Sequence, residues 1–335
     1  MSNYNLRKKG RTKILLFFCR NSNNKNGQNT LSNFSVQNTG TMRNIYISAA
    51  VALMAVCVVF ANCACQDDLK DETAFAASVT AVTTPQEKNA IVELFTGVRS
   101  EQSAEGHRIL NGLMVTHPGR IYCINIHTGV DAGNVYTTEF GNELLRHADI
   151  SAFPAGTVNR QVFELYAMDT LNNGTAIPVK YISNACDLVM AQPAIANLDA
   201  KAEINVQNRQ LRVAVAIYYT EQDSVNDTHK LNVALVEDSV WGDQAGGSTL
   251  NPTQYDFNTS RYCHMHMLRH LVTGQWGSDI TPVTGKQIRR VFAYTIPQQI
   301  SGVDVDLNHL KIIVFLAEGE KDVINVCEAP IKIIN

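Results

Sequence analysis

Three groups of residues in this sequence have the types and spacing for chemistry. The run Ser100-Glu101-Gln102-Ser103 puts two hydroxyls just after the Thr96-Gly97 turn, with His107 and His127 as bases within reach in the sequence. A serine nucleophile served by one of them would be acyl-transfer chemistry, but no carboxylate orienter or oxyanion motif accompanies the pair. Ser103, directly before Ala104, is better suited to capping a helix. His264 and His266 are two apart, so on a strand both rings face one side and offer two metal ligands. No third ligand is legible, and histidines packed with Arg269 and Trp276 explain the pair without a metal. The expected cofactor content is none apart from covalent lipid.

Cysteine is the third group. Cys19 lies in a polar leader, and Cys57, Cys63 and Cys65 lie in or just after an apolar run. Cys123, Cys186, Cys263 and Cys327 remain. No Cys-x-x-Cys pair occurs among these four, so neighbours build neither a zinc ribbon nor a dithiol site. Free core thiols are expected, with a Cys263 to Cys327 bridge the alternative that an exported compartment permits. A thiol-redox or isomerase role would need Cys123 or Cys186 beside Pro154 with a depressed pKa.

The elements that must position these groups divide the body in two. Over 88–192, Ala90 to Phe95 predicts a strand, Ala104 to Thr116 a helix, and Ile121 to His127 a second strand. Thr138 to His147 predicts a second helix and Ala155 to Arg160 a third strand. An antiparallel continuation over Phe163 to Met168 and a helix over Val179 to Met190 follow. Strand, helix, strand implies a parallel pair with a right-handed crossover. That order is the thioredoxin topology, and Pro154 stands where that fold keeps a cis-proline beside its active loop. Over 193–335 the period becomes two, as in Leu211, Val213, Val215, Ile217 and Tyr219, and six or more strands without helices predict a β-sandwich. One further strand is expected around Tyr262 to Leu271. The predicted fold class is therefore α/β plus all-β, a thioredoxin-like domain followed by a β-sandwich domain. Trp241-Gly242-Asp243 and Gly246-Gly247-Ser248 read as turns.

Several runs together resemble the outer membrane protein 28 family of Gram-negative surface lipoproteins. They are Val92 to Arg99, Gly106-His107, Asn125 to Gly129, Phe153 to Arg160, Tyr262 to Arg269 and Gln275-Trp276-Gly277. The resemblance spans about 88–335 and implies a thioredoxin-like domain, a β domain, the outer membrane, and adhesion or receptor roles. Many relatives carry Cys-x-x-Cys where this chain has Ser100 and Ser103. A serine hydroxyl forms no disulfide, so dithiol exchange at this loop is excluded, and the protein is not expected to be an enzyme. Ser100, Ser103, His107, His127 and Pro154 are instead expected to line a shallow groove that binds a peptide or small ligand.

Composition gives an address. No Asp or Glu precedes Asp67, whereas eight Lys and Arg do, and the chain after residue 65 carries 20 basic against 31 acidic residues. So acidic a body gives no footprint for nucleic acid. Residues 1–41 are polar, acid-free and unable to build a core, and Met42 is the expected translation start. Residues 42–65 have the basic start and apolar run of a signal peptide, and Ala64-Cys65 resembles a lipobox. Lipid on Cys65, with Cys63 as the alternative acceptor, would anchor the chain durably in a membrane. Residues 66–87 are expected to be a flexible tether. The reading is a lipid-anchored outer membrane protein, exposed at the cell surface, that binds or adheres through an extracellular or envelope protein or peptide ligand. A structural subunit of a surface assembly is the other non-enzymatic reading.

Overall fold

The computed structural model describes residues 71–133, 136–168, 174–221 and 228–335. The expected signal peptide, Cys63 and Cys65 lie outside the described residues. Strand β1 (Ala90–Thr96) is buried along its whole length, as a near-continuous apolar run requires when both sheet faces are covered. On one face Ile91 and Phe95 meet Phe140 and Leu144 of the segment leading into and through α2 (Gly141–Ala148). On the other, Val92 and Leu94 meet Leu110 of α1 (Glu101–Thr116) and Ile182 and Val189 of α3 (Ile182–Met190). Strand β2 (Ile121–His127) runs parallel to β1, from Ala90 opposite Ile121 to Thr96 opposite His127. Strand β3 (Ala155–Val158) pairs antiparallel with the other edge of β1, and β4 (Ile177–Pro178) pairs antiparallel with β3. The Phe153-Pro154 bond is cis. The expected strand over Phe163 to Met168 does not form: Phe163 and Tyr166 stack across a turn, and β4 takes the place beside β3.

The remaining strands are β5 (Ala196–Asn205), β6 (Gln210–Tyr219), β7 (His229–Glu237), β8 (Val240–Gly242), β9 (Tyr255–Asp256), β10 (Arg261–His264) and β11 (Met267–Leu271). They continue as β12 (Ser278–Ile280), β13 (Gln287–Thr295), β14 (Gln299–Ile300), β15 (Val303–Asp304), β16 (Leu310–Glu318), β17 (Lys321–Ala329) and β18 (Ile331–Ile334). A sandwich does form: the sheet β13-β6-β5-β18 faces β7 and β16 across a core of Val213, Val215, Leu231, Val233, Ile312 and Val314. Period two shows in β7, where Leu231, Val233 and Leu235 enter this core while Ala234 and Val236 enter the one shared with β1 and β2.

The two predicted halves do not keep separate sheets. One nine-stranded sheet runs β17-β16-β7-β11-β2-β1-β3-β4, with β12 also on β7. The join is β11 beside β2, where the Asn125 backbone N–H donates to the His266 carbonyl at 2.7 Å and Asn125 Nδ2 donates to the Met265 carbonyl at 2.7 Å. Without β11 the parallel strand β2 would be a bare edge. The predicted strand over Tyr262 to Leu271 breaks in two at His266, whose φ of 55° is left-handed, so β10 joins the small sheet β8-β10-β9 and β11 the large one.

Within the expected tether, the described part is packed. Phe75, Val79 and Ala81 are buried against Ala214 and Ala216 on the outer side of β6. Gln287 accepts from the Ala81 N–H and donates to the Ala81 carbonyl. Small alanines on β6 leave a shallow face that this segment covers. A second tie is a buried ion pair: Arg160 donates through Nε and Nη2 to Glu93 at 2.8 and 2.6 Å. The Arg160 guanidinium also lies 5.1 Å from the Phe315 ring, linking β3 to β16.

Candidate functional site

The loop after β1 and the start of α1 lie at the carboxyl ends of β1 and β2, where an open α/β sheet commonly holds its ligands. Ser100, not Ser103, is the residue before α1, and its side chain makes no capping bond. Ser100 Oγ instead donates to the Phe153 carbonyl at 3.4 Å. Ser103, three residues into the turn, is fully buried and accepts from the Gly97 N–H at 3.2 Å. Pro154 lies against Gly106, where an added Cβ would stand 3.2 Å from the Pro154 ring. Among the described residues, no hydrogen bond joins either serine to a histidine, so the nucleophile and base pairing is not formed.

The expected open groove is closed by the chain's own 243–251 segment. Gln244 Nε2 donates to the Ser100 and Gly97 carbonyls at 3.0 and 3.3 Å, and the Ala245 N–H donates to the Val98 carbonyl at 2.8 Å. Gly246, at φ 70°, comes so close that a Cβ there would sit 2.8 Å from the Glu101 carbonyl oxygen. Only glycine meets both demands. His107 and His127 are consequently 3% and 2% exposed and line no surface.

Beneath this cover the structure brings His107 and His127 together with His264. Their ring centroids are 5.1 to 6.2 Å apart, with Tyr136 and Tyr262 packed against them. Proton positions follow from the partners. Tyr262 gives its hydroxyl proton to Gln254 Oε1 and accepts from Asn251 Nδ2, so toward His107 it accepts as well. Neutral His107 then carries its proton on Nδ1, and Nε2 accepts from Thr96 Oγ1 at 3.0 Å. His264 donates from Nε2 to the Asp243 carbonyl at 3.1 Å, leaving Nδ1 bare. Neither nitrogen of His127 has a partner among the described residues.

Burial keeps all three rings neutral. It pushes His107 down to about 3, with the neighbouring His264 and His266 adding to the fall. It holds His127 well below the usual imidazole range, and His264 falls to about 4 against the opposing pull of its Asp243 bond. His264 and His266 do not face the same side as expected. The left-handed turn at His266 sends its Nδ1 to the Asp238 carboxylate at 3.1 Å. Among the described residues no group of three or more His, Cys, Asp or Glu is arranged to hold a metal ion.

Among the described residues Cys123, Cys186, Cys263 and Cys327 are all free, so the alternative bridge between Cys263 and Cys327 is not made. Burial raises the Cys123 thiol and pushes Cys186 up to about 12, the opposite of what a reactive thiol beside Pro154 needs.

Two open concave surfaces lie beside this region, on either side of Trp241, which is 43% exposed. One is a cavity of about 940 Å³ lined by Tyr136, Trp241, Arg261, Glu237 and the loop through Asp304 to His309. The other, about 610 Å³, is lined by Met114, Val115, Trp241, Tyr255, Cys263 and Met265. The sequence offered Trp241 only as part of a turn. An aromatic directly before a Gly-Asp turn was its one signal.

The family model described as outer membrane protein Omp28 matches residues 142–333. Among solved structures, HBP35 of Porphyromonas gingivalis aligns with TM-score 0.56 at 14% identity, covering 72% of this chain and 74% of that one. A domain of the outer membrane lipoprotein Omp28 from Porphyromonas gingivalis aligns with TM-score 0.28 at 19% identity, over 42% of this chain and 92% of that one. No curated protein matches.

Proposed function

The chain belongs to the Omp28 family of outer membrane proteins, and from that premise we propose that it is a non-catalytic binding or adhesion protein, held by lipid on Cys65 and facing the cell exterior. Its place is the outer membrane. Among the described residues no helix is long and apolar enough to cross a membrane.

The strand order β2-β1-β3-β4, with β1 and β2 parallel and β3 and β4 antiparallel, supports reading 88–192 as a thioredoxin-like module. In this chain the module is a scaffold. Its loop has no thiol, and the segment around Gln244 and Gly246 occupies the space where a substrate would approach. Binding therefore belongs to the surface that remains open. The observation that carries the reading is Trp241, a half-exposed aromatic standing between two clefts. Exposed aromatics in concave surfaces are favoured contact residues because they offer large area at small entropic cost.

The test is attachment of cells displaying the wild-type chain or the Trp241→Ala variant to immobilised proteins and peptides. Attachment that depends on the chain and drops with Trp241→Ala is the expected result. Equal attachment by cells with and without the chain would overturn the reading.

A further inference from the structure

We infer that Cys263, Met265 and His266 form a binding site for a single cuprous ion, on the cleft side of the strand whose other face packs the three buried histidines. This inference stands independently of the proposed adhesive role.

Strand alternation sorts the run Cys263-His264-Met265 to two faces. Tyr262 and His264 point inward and are buried, whereas Cys263 and Met265 are part-exposed and line the cleft of about 610 Å³ beside Trp241. The two sulfurs are 3.8 Å apart. For metal–sulfur bonds of about 2.3 Å, that separation closes an S–metal–S angle of about 110°, so the two sulfurs can share one ion, beside the bond that Met265 Sδ accepts from the Ser239 N–H at 3.3 Å. His266 lines the same cleft. Its Nδ1 is 3.1 Å from the Asp238 carboxylate, and its backbone N–H donates to the same oxygen at 2.7 Å. A carboxylate can only accept, so the Asp238 contact selects the His266 tautomer with its proton on Nδ1 and the lone pair on Nε2. A carboxylate behind the ring is the usual support of a metal-bound imidazole. Lys311 Nζ, 2.8 Å from the other Asp238 oxygen, fixes that carboxylate in turn.

The donor set selects the ion. A thiolate and a thioether are soft ligands that favour Cu(I), whereas zinc prefers three or four thiolate, imidazole or carboxylate donors.

The test titrates the detergent-extracted full chain, reduced under argon, with Cu(I) in competition with a chromophoric cuprous chelator. Zn(II) is titrated in parallel. One Cu(I) per chain is expected, with no comparable retention of zinc. Cys263→Ser abolishes retention, and Met265→Leu and His266→Asn each weaken it by about tenfold or more. Cys327→Ser leaves it unchanged. X-ray absorption on the wild-type protein, which does not depend on any variant folding, shows two sulfur scatterers at about 2.3 Å. Failure to retain Cu(I), equal retention of zinc, retention unaffected by both Cys263→Ser and Met265→Leu, or a metal shell without two sulfurs would each overturn the inference.

Discussion

Acid destabilises this protein through its buried histidines at a pH where ordinary carboxylates are still largely ionised. His107 and His127 are neutral in the folded chain because burial depresses both, His107 to about 3. In the unfolded chain each titrates near 6.5. A histidine depressed by folding contributes stability that is fully present above about pH 6.5 and drains away as pH falls below it. By about pH 5 each ring that protonates only when unfolded costs about 2 kcal/mol, so His107, His127 and His264, which burial holds at about 4, together cost about 6. That is a large share of the roughly 5 to 15 kcal/mol that holds a typical domain together. Glu237 works in the opposite sense: burial raises its carboxyl, so it favours the folded state as pH falls. The informative quantity is therefore a difference. Urea unfolding is followed from about pH 7.5 to about pH 5 for the wild type and for His127→Leu, and the variant loses about 2 kcal/mol less over that range. Removing two unpartnered nitrogens also shifts the variant's stability at neutral pH, but that offset cancels from the slope. Equal pH slopes in the two proteins would refute the reasoning.

Three further perturbations test the packing that builds the site. Arg160→Met strands the Glu93 carboxylate in the core and costs about 3 to 5 kcal/mol in urea unfolding, while Glu93→Leu with Arg160→Met recovers most of the loss. Gly246→Ala forces a Cβ onto the Glu101 carbonyl at an unfavourable φ, costs more than about 1 kcal/mol, and speeds backbone hydrogen exchange at Val98 to Ser100. Phe75→Ala removes the ring that Lys201 and Arg212 cover at 4.6 and 4.3 Å, and limited proteolysis then cuts within 71–82 at a protease concentration that spares the wild type.

Much of the scaffold was legible because its signals are local. The apolar run Ala90 to Phe95, the helical spacing of Ile109, Leu110 and Leu113, and the alternation in Leu211 to Tyr219 each report their own surroundings, and all three elements form. The join between the halves was not legible, since it depends on one backbone break in the strand pattern. His266 turns left-handed, and β11 thereby reaches β2 some 140 residues away. The packing of 75–82 was missed for a related reason: Phe75 and Val79 are isolated apolar residues, and the face they cover belongs to β6.

The site divides along the same line. His107, His127, His264 and Pro154 could be picked out by type, and the structure does bring the three histidines together. Their closure could not be read, because the covering groups are Gln244, Ala245 and Gly246, ordinary turn residues acting on a loop more than a hundred positions earlier. The tautomer of His107 likewise depends on Tyr262, Asn251 and Gln254, which no spacing rule connects to it.

The central claim is that this family member works at the outer membrane as an anchored binding protein rather than as a diffusing catalyst. Mass spectrometry of the mature amino terminus, taken from outer membranes of the native host, tests it most directly. The account predicts a chain that begins at Cys65 with the mass of a diacylglycerol and an acyl chain added. An unmodified peptide continuous through residues 55–70, or a mature chain recovered free of lipid, would contradict it.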